Sequence, residues 1–206
     1  MTDVNSVADI QARKKLLRKQ MRQLRRSLSN LQQIKAARAL YRRVAITSAF
    51  RFSRSIAFTI ARDGEISPQL LLREAQRRGK RCYLPVMSRI GADKLTFRLA
   101  DKRRRLDSRN RFGIPEPVRS KACPPRALSL VLLPLVAFDA QGNRLGMGKG
   151  YYDHTFAFLR HSLRLRPLLL GLAHECQRVE TLDTATWDVP LHGIVTDQAW
   201  YKAATT

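Results

Sequence analysis

The feature that most constrains the fold is a series of short apolar runs separated by segments with helical periodicity. The runs SIAFTI, which begins at Ser55, and RCYLPV predict buried strands. Between them, QLLLREAQRR predicts a helix with Ser67 as its N-cap, Pro68 as its first residue and Gly79 at its end. Residues 55–86 therefore predict one strand–helix–strand unit.

The rest of the chain continues this alternation. KLTFRLA predicts a strand near an edge, and LSLVLLPLVAF, RPLLLGLA and LHGIVT predict three more strands. A helix is expected from about Tyr151 to Leu163, whereas the polar and basic segment 101–117 should be extended or loop-like. The pattern predicts an α/β fold, a mostly parallel sheet covered by helices on both faces in a three-layer, Rossmann-like arrangement. With no repeat or low-complexity linker, residues 1–206 predict a single domain.

Two basic helices are predicted before the first strand. Residues 8–28 have helical periodicity, and SNLQ at Ser29 fits a capping box for a second helix that ends near residue 49. Together they predict a basic helical hairpin over residues 8–50, packed on the α/β domain. The first helix carries an apolar stripe and a basic stripe, formed by Leu17, Met21, Leu24 and Leu28, and by Lys14, Arg18, Arg22 and Arg25.

The charge indicates an anionic partner. Thirty-nine Lys and Arg residues against 16 Asp and Glu give a formal net charge of +23, which attracts nucleic acid, a nucleotide or a polyacidic small molecule. A solvated basic surface without a partner is the plain alternative. Cys82, Cys123 and Cys176 have no zinc-site spacing and are expected to be buried. No apolar run could span a membrane and the start lacks a signal-peptide core, so we expect the cytoplasm.

The segment NRLGMGKGYYD, residues 143–153, follows the most apolar stretch of the chain. Ligands of parallel sheets gather at the carboxyl ends of strands, and glycines let backbone N–H groups approach an anion. Arg144 and Lys149 add charge, and a helix N-terminus follows. The loop therefore predicts a phosphate cradle, although its glycines fit neither a P-loop nor G-x-G-x-x-G. Asp153 could hold Mg²⁺ against phosphates. A glycine-rich turn with incidental charges is the alternative.

The combination of motifs resembles the 5-formyltetrahydrofolate cyclo-ligases, also called 5,10-methenyltetrahydrofolate synthetases. The central loop LVAFDAQGNRLGMGKGYYD carries most of the resemblance, which extends over nearly the whole chain. The other motifs are KKLLRKQMRQLRRSLS, DGE followed by GKRCYLPV, FGIPEP, GLAHECQ and TWDVPLHGIVT. Many members have three successive glycines where this chain has Gly148, Lys149 and Gly150.

The resemblance implies ATP-dependent cyclisation of 5-formyltetrahydrofolate to 5,10-methenyltetrahydrofolate, with Mg²⁺ as cofactor and release of ADP and phosphate. Phosphoryl transfer to the formyl oxygen would make it a leaving group, and N10 would close the ring. Tyr152, Arg144 and Lys149 are the implied catalytic residues, and Asp153 and Asp188 the implied metal ligands. The implied ATP site comprises Lys14, Arg18, Arg144, Leu145, Gly146, Met147, Gly148, Lys149, Gly150, Tyr151 and Tyr152. The implied folate site comprises Ile60, Glu65, Met147, Gly148, Lys149, Gly150, Tyr151 and Tyr152.

Other functions remain open from the sequence. A basic RNA-binding protein on a related α/β scaffold would explain the charge directly, although no RNP or KH signature is present. The excess charge could also serve a polyglutamylated folate tail. A kinase or a sugar-phosphate isomerase on a similar scaffold is a further alternative. We expect a monomer.

Overall fold

The computed structural model describes residues 7–87, 93–100, 108–109, 113, 115–117, 119–160 and 166–202. Its helices are α1 Val7–Arg26, α2 Asn30–Ala45, α3 Ser48–Phe52, α4 Gln69–Arg77 and α5 Tyr151–Thr155. Its strands are β1 Ser55–Ala57, β2 Arg81–Met87, β3 Leu95–Leu99, β4 Ser108–Arg109, β5 Pro115–Glu116, β6 Ala122–Cys123, β7 Leu130–Pro134, β8 Ala137–Phe138, β9 Arg144–Leu145, β10 Leu168–Leu172, β11 Gly193–Val195 and β12 Trp200–Lys202.

Eight of these strands form one mixed sheet in the order β12-β11-β10-β7-β1-β2-β3-β6. The five strands from β11 to β2 pair in parallel, and β12, β3 and β6 add antiparallel pairings at the two edges. The central strands are buried on both faces, as expected of parallel strands, and a hydrophobic cluster lies against each face. The mostly parallel α/β sheet predicted from the sequence is confirmed.

The predicted strand–helix–strand unit is formed by β1, α4 and β2, with Ser55 opposite Arg81. Its helix begins one residue later than predicted. Pro68 is the N-cap rather than the first helical residue, and the Leu72 N–H donates to its carbonyl oxygen at 2.9 Å. The regular strand β1 also ends early, at Ala57, although the next residue still bonds to β2 through the carbonyl oxygen of Tyr83.

The basic N-terminal segment forms three helices rather than two. The second helix ends at Ala45, and not near residue 49, because Thr47 starts a new helix by accepting the Phe50 N–H on its hydroxyl at 3.2 Å. The predicted capping box at Ser29 is present. Helix α2 packs against α4 and β11, whereas α1 packs on β8 and on a 3₁₀ turn at Glu175–Gln177. Among the described residues, no helix is long and apolar enough to cross a membrane.

The helix expected from Tyr151 to Leu163 is much shorter than predicted. Helix α5 ends at Thr155, whose hydroxyl donates to the Tyr151 carbonyl oxygen and accepts the Leu95 N–H at 2.8 Å. The chain then turns into a 3₁₀ helix at Ala157–Leu159, which buries Phe156 and Leu159 in the core. Residues 161–163 lie outside the described part. Among the described residues, the short helix α5 and this 3₁₀ helix pack against the hydrophobic cluster on this face of the sheet.

The basic segment 101–117 is described only at residues 108–109, 113 and 115–117. There, β4 and β5 pair in antiparallel fashion. The prediction of extended or loop-like chain for the remaining positions lies outside the described residues.

Candidate active site

The glycine-rich loop is presented by a small hairpin that follows the central strand β7. The apolar run predicted as one strand breaks after Pro134, and Ala137–Phe138 pairs with Arg144–Leu145. The turn of this hairpin is held by Asp139, which is 1% exposed and accepts backbone N–H groups from Gln141 and Asn143 at 3.1 and 2.9 Å. The buried carboxylate fixes where the loop begins.

The loop itself is held by the N-terminal helix. Arg18 of α1 donates from Nε to the carbonyl oxygen of Gly146 at 2.8 Å. Gly148 has φ +95° and faces the guanidinium, since a Cβ built there would lie 3.4 Å from Arg18 Cζ. Gly150, with φ +63°, is the N-cap of α5. Two left-handed residues within three positions explain why the loop needs glycine.

A cavity of about 650 Å³ opens between this loop and the ends of the central strands. It lies beyond the carboxyl ends of β1, β2 and β7, the position in which α/β sheets bind their ligands. One wall is formed by the glycine-rich loop and another by the chain after β1, and residues of β2, β3 and β7 add an apolar side. The residues lining the cavity are Arg22, Arg25, Thr59, Ile60, Arg62, Asp63, Glu65, Leu84, Pro85, Met87, Leu95, Glu116, Pro134, Arg144, Gly146, Met147, Lys149, Gly150, Tyr151, Tyr152 and Asp153.

The wall after β1 presents a buried carboxylate. The Glu65 side chain is 15% exposed, and its Oε2 accepts the backbone N–H of Arg62 at 3.1 Å. Arg25 of α1, 1% exposed at its side chain, lies 3.6 Å from the other carboxylate oxygen. Burial raises the pKa of Glu65 above its usual value, and the Arg25 charge opposes this rise. The wall after β1 thus offers the Glu65 carboxylate as a hydrogen-bond acceptor and Ile60 as an apolar side chain.

The wall formed by the loop contains a mostly buried ion pair. Arg144 and Asp153 are 7% and 19% exposed at their side chains and are joined by a salt bridge. Arg144 also donates to the carbonyl oxygen of Val189, and the Val189 N–H donates to Asp153 Oδ1 at 3.1 Å. Burial, and then the nearby charge of Glu65, raise the pKa of the Tyr152 phenol well above its usual value. Tyr152 therefore stays protonated and can donate a hydrogen bond at neutral pH.

Most of the site residues indicated by the sequence meet in this one cavity. Those that line it are Ile60, Glu65, Arg144, Gly146, Met147, Lys149, Gly150, Tyr151, Tyr152 and Asp153. Gly148 belongs to the loop but not to the cavity lining, and it faces the guanidinium of Arg18, which also lies outside the lining. Lys14 is half-buried, four residues before Arg18 on α1, and Leu145 packs into the core at 5% exposure. Asp188 lies outside the lining, where its Oδ2 accepts the Ala185 N–H at 2.8 Å in a turn.

The sequence interpretation did not assign several lining residues to the site. Arg22 and Arg25 continue the basic stripe of α1 into the cavity wall, and Asp63 receives both of them. The basic stripe is therefore the sequence signal from which Arg22 and Arg25 can be assigned to the site. Glu116, 4% exposed, lines the apolar side and accepts the Met87 N–H at 3.0 Å. Glu116 belongs to the motif FGIPEP, which carries part of the family resemblance but from which no site role was assigned.

The fit of these residues to Mg²⁺ depends on what accompanies the ion. Within the described ranges, no group of three His, Cys, Asp or Glu residues could hold a metal ion. Asp153 reaches the cavity, but its Oδ1 is already bonded to Arg144 and Val189. Mg²⁺ in phosphoryl-transfer sites is commonly bound by one or two carboxylates together with substrate phosphates. The residues therefore fit an ion that arrives with a nucleotide, and not a separate protein cage.

The chain is similar to known proteins over most of its length. Residues 10–197 match the model of the 5-formyltetrahydrofolate cyclo-ligase family. A 5-formyltetrahydrofolate cyclo-ligase of Haemophilus influenzae is 37% identical over 183 residues, covering 87% of this chain and 95% of that protein. That of Escherichia coli K12 is 37% identical over 179 residues, covering 85% and 96%. The NMR structure of Aquifex aeolicus 5,10-methenyltetrahydrofolate synthetase is similar with a TM-score of 0.79 and 27% identity, covering 94% of each chain.

Proposed function

Because the chain belongs to the 5-formyltetrahydrofolate cyclo-ligase family, we propose that its cavity holds folate at the Glu65 wall and ATP at the glycine-rich loop. The enzyme converts 5-formyltetrahydrofolate to 5,10-methenyltetrahydrofolate and uses ATP as co-substrate. The single observation that carries the proposed arrangement is that the two walls face one cavity, so both substrates can meet there.

The two walls differ in the chemistry that each can bind. Glu65 offers a carboxylate acceptor beside Ile60, which suits the N–H groups and the flat ring of a pterin. The loop offers Arg144, Lys149 and backbone N–H groups, which suit a triphosphate. Lys14 and Arg18 of α1 would extend this positive surface toward the phosphates. Tyr151 and Tyr152, at the end of the loop, also line the cavity and could contact both substrates.

Phosphoryl transfer accounts for the chemistry without a protein nucleophile. The formyl oxygen attacks the γ-phosphorus of ATP, ADP leaves, and the formyl carbon becomes electrophilic. N10 then forms a bond to that carbon and loses its proton, and the carbon–oxygen bond breaks with release of phosphate. Arg144, Lys149 and the Tyr152 hydroxyl would orient the phosphate and offset its charge.

A Mg²⁺ ion bound with ATP would neutralise charge on the phosphate oxygens while the phosphoryl group is transferred to the formyl oxygen. Asp153 is the carboxylate of this chain that would hold it at the cavity wall. Asp188 would contribute from the adjoining turn, next to Val189, whose N–H bonds to Asp153. We further propose that the protein is a cytoplasmic monomer acting as one domain, and that the folate can carry a glutamate tail.

The test measures the ratio of the products that the purified protein forms. With 5-formyltetrahydrofolate and ATP·Mg²⁺, we expect one ADP and one phosphate for each methenyl product, followed by near-ultraviolet absorbance. Tyr152→Ala should abolish turnover while the circular dichroism spectrum is unchanged. ATP hydrolysis without methenyl product would contradict the reaction, and full activity of Tyr152→Ala would contradict the role of the loop.

A second candidate function is RNA binding on the helical face away from the cavity. Between Asp9 and Asp63 the chain has many Lys and Arg residues but no Asp or Glu. Lys35, Arg38 and Arg42 are exposed on α2, on one side of that helix. Such a surface binds phosphates in a salt-dependent manner.

A labelled single-stranded RNA tests this second function. We expect micromolar binding that weakens with salt, that the triple change of Lys35, Arg38 and Arg42 to Gln reduces, and that Tyr152→Ala leaves unchanged. Binding that the triple change leaves intact, or that ATP displaces, would contradict a separate RNA surface.

A further inference from the structure

The loop that presents Glu65 is held by three arginines of one helix. Arg22 donates from Nε to Asp63 Oδ2 at 2.7 Å, Arg25 donates to the same oxygen at 2.9 Å, and Arg26 bonds to Oδ1. Asp63 is the one non-glycine residue with a positive φ, 53°, among the described residues, and Gly64 follows it with φ +75°, an Asp-Gly pair typical of a tight turn. The three arginines hold the Asp63 carboxylate and so anchor this turn two residues before Glu65.

Arg25 differs from the other two arginines in its burial and in its contacts. Its side chain is 1% exposed, against 36% for Arg22 and 54% for Arg26. It also donates to the backbone carbonyl oxygen of Asp63 at 2.8 Å and to that of Leu135 at 3.2 Å. Arg25 thus joins α1 both to the loop and to the chain that follows strand β7. A buried cation that donates to several acceptors holds the segments that carry them in a defined arrangement.

The backbone of the loop packs tightly on the same helix. Gly64 has φ +75°, and a Cβ there would lie 2.7 Å from the carbonyl oxygen of Arg25. Gln33 of α2 and the buried His174 both bond to the Gly64 carbonyl oxygen, at 3.1 and 3.2 Å. The position of Glu65 is therefore set from three sides, with Arg25 as the residue that also faces its carboxylate.

We propose that Arg25 is a positioning residue for folate binding, which fixes the Glu65 carboxylate at the cavity wall and keeps it available as an acceptor. The inference rests on the proposed role of Glu65 in folate binding. The charged and titratable groups that face Glu65 are Arg25 from α1, Arg62 and Asp63 from its own loop, and Tyr152 from α5. Among these groups, the Arg25 charge lowers the pKa of Glu65 the most. It opposes the burial, which favours the neutral carboxyl.

The test compares Arg25→Met with Arg26→Gln, a control that loses an Asp63 contact on the exposed side of α1. Folate and ATP dissociation constants are measured separately from pH 5 to pH 9. For Arg25→Met we expect folate affinity to fall about tenfold or more with ATP affinity within twofold, and the pH at which folate binding is half lost to rise. Arg26→Gln should resemble the wild type in folate affinity, in ATP affinity and in the pH at which folate binding is half lost. An equal loss of folate and ATP affinity in Arg25→Met would show a general structural role and overturn the proposal.

A double-mutant cycle with Glu65→Gln tests the connection between the two residues. If Arg25 acts through Glu65, adding Arg25→Met to Glu65→Gln should weaken folate binding by less than twofold further. Additive losses would overturn the proposal. If Arg25→Met does not fold, the conservative variant Arg25→Lys is used to test the proposal instead. It should raise the folate dissociation constant about threefold and leave the pH midpoint near that of the wild type, and an unchanged folate affinity would overturn the proposal.

Failure of the inference can be told from failure of the proposed function. If the wild type neither binds nor converts 5-formyltetrahydrofolate, the proposed function is wrong and the inference falls with it. If the wild type is active and Glu65→Gln loses folate affinity, but Arg25→Met behaves like Arg26→Gln, the function stands and the positioning role is overturned.

Discussion

Arg18 and Gly146 are joined by a 2.8 Å hydrogen bond that ties the N-terminal helix to the glycine-rich loop across 128 positions of sequence. The bond leaves the guanidinium against Gly148, outside the cavity lining, where it supports the loop at which we propose that ATP phosphates bind. The helix therefore orders the loop as well as adding charge to it.

The first prediction follows from that bond. Arg18→Gln should raise the KM for ATP about tenfold or more, because hydrogen bonds from charged groups contribute about 1.5–3 kcal/mol. Steady-state kinetics at varied ATP would measure the change. Lys19→Gln removes an exposed charge from the next position and serves as the control. An equal effect in both variants would mean that only the overall charge of the helix matters.

The second prediction concerns two glycines of the same loop. Gly148→Ala should destabilise the protein by about 1–2 kcal/mol, because its φ of +95° is unfavourable for a residue with a Cβ. Gly146→Ala is the matched control, since its φ is not positive and nothing lies within 4 Å of its added Cβ. Urea unfolding of both variants would measure the difference, and equal midpoints would contradict the strained backbone.

The third prediction concerns the ion pair of Arg144 and Asp153. Arg144→Met should reduce the free energy of unfolding by about 3 kcal/mol, because it leaves a mostly buried carboxylate without its cation. Arg77→Gln is the control, since Arg77 pairs with Glu74 on the surface with its side chain 73% exposed, and it should leave the midpoint nearly unchanged. Similar midpoints for the two variants would show that the buried pair adds no stability.

The fourth prediction is a pH dependence of stability. Burial raises the folded-state pKa of Glu65 above its unfolded value of 4.5, so its contribution is full at low pH and is lost as the pH rises through the folded pKa. Glu65→Gln should therefore gain stability relative to the wild type between pH 5 and pH 8, in paired urea unfolding curves. Glu74→Gln is the control that should show a constant difference over this range, because Arg77 and Arg78 lower the pKa of Glu74 to about 2 and its pH dependence therefore lies at more acidic pH. A constant difference for Glu65→Gln over this range would contradict the buried, ionised carboxylate.

The sequence predicts what depends on neighbouring positions. The buried strands follow from short apolar runs such as Leu130–Pro134, and the loop follows from glycines and charges placed directly after one of them. The length of α5 does not follow, because helical periodicity carries no information that Phe156 turns into the core.

Contacts between distant positions are what the sequence does not reveal. Arg25 belongs to a basic stripe that the sequence shows, but its burial depends on Asp63, 38 positions away, and on Leu135, 110 positions away. The Asp63-Gly64 pair is a local signal for a turn, but the sequence does not reveal that arginines of α1 hold the Asp63 side chain. The family resemblance indicated the roles of Glu65 and Arg18 but not the contacts that position them.

The most direct test of the account is a crystal structure of the protein with 5-formyltetrahydrofolate and a non-hydrolysable ATP analogue. We predict the pterin within hydrogen-bond distance of Glu65, and the γ-phosphate between Arg144, Lys149 and the formyl oxygen, in the one cavity. A folate bound elsewhere, or a nucleotide whose phosphates lie away from residues 144–150, would contradict the central claim that the two walls hold the two substrates of one reaction.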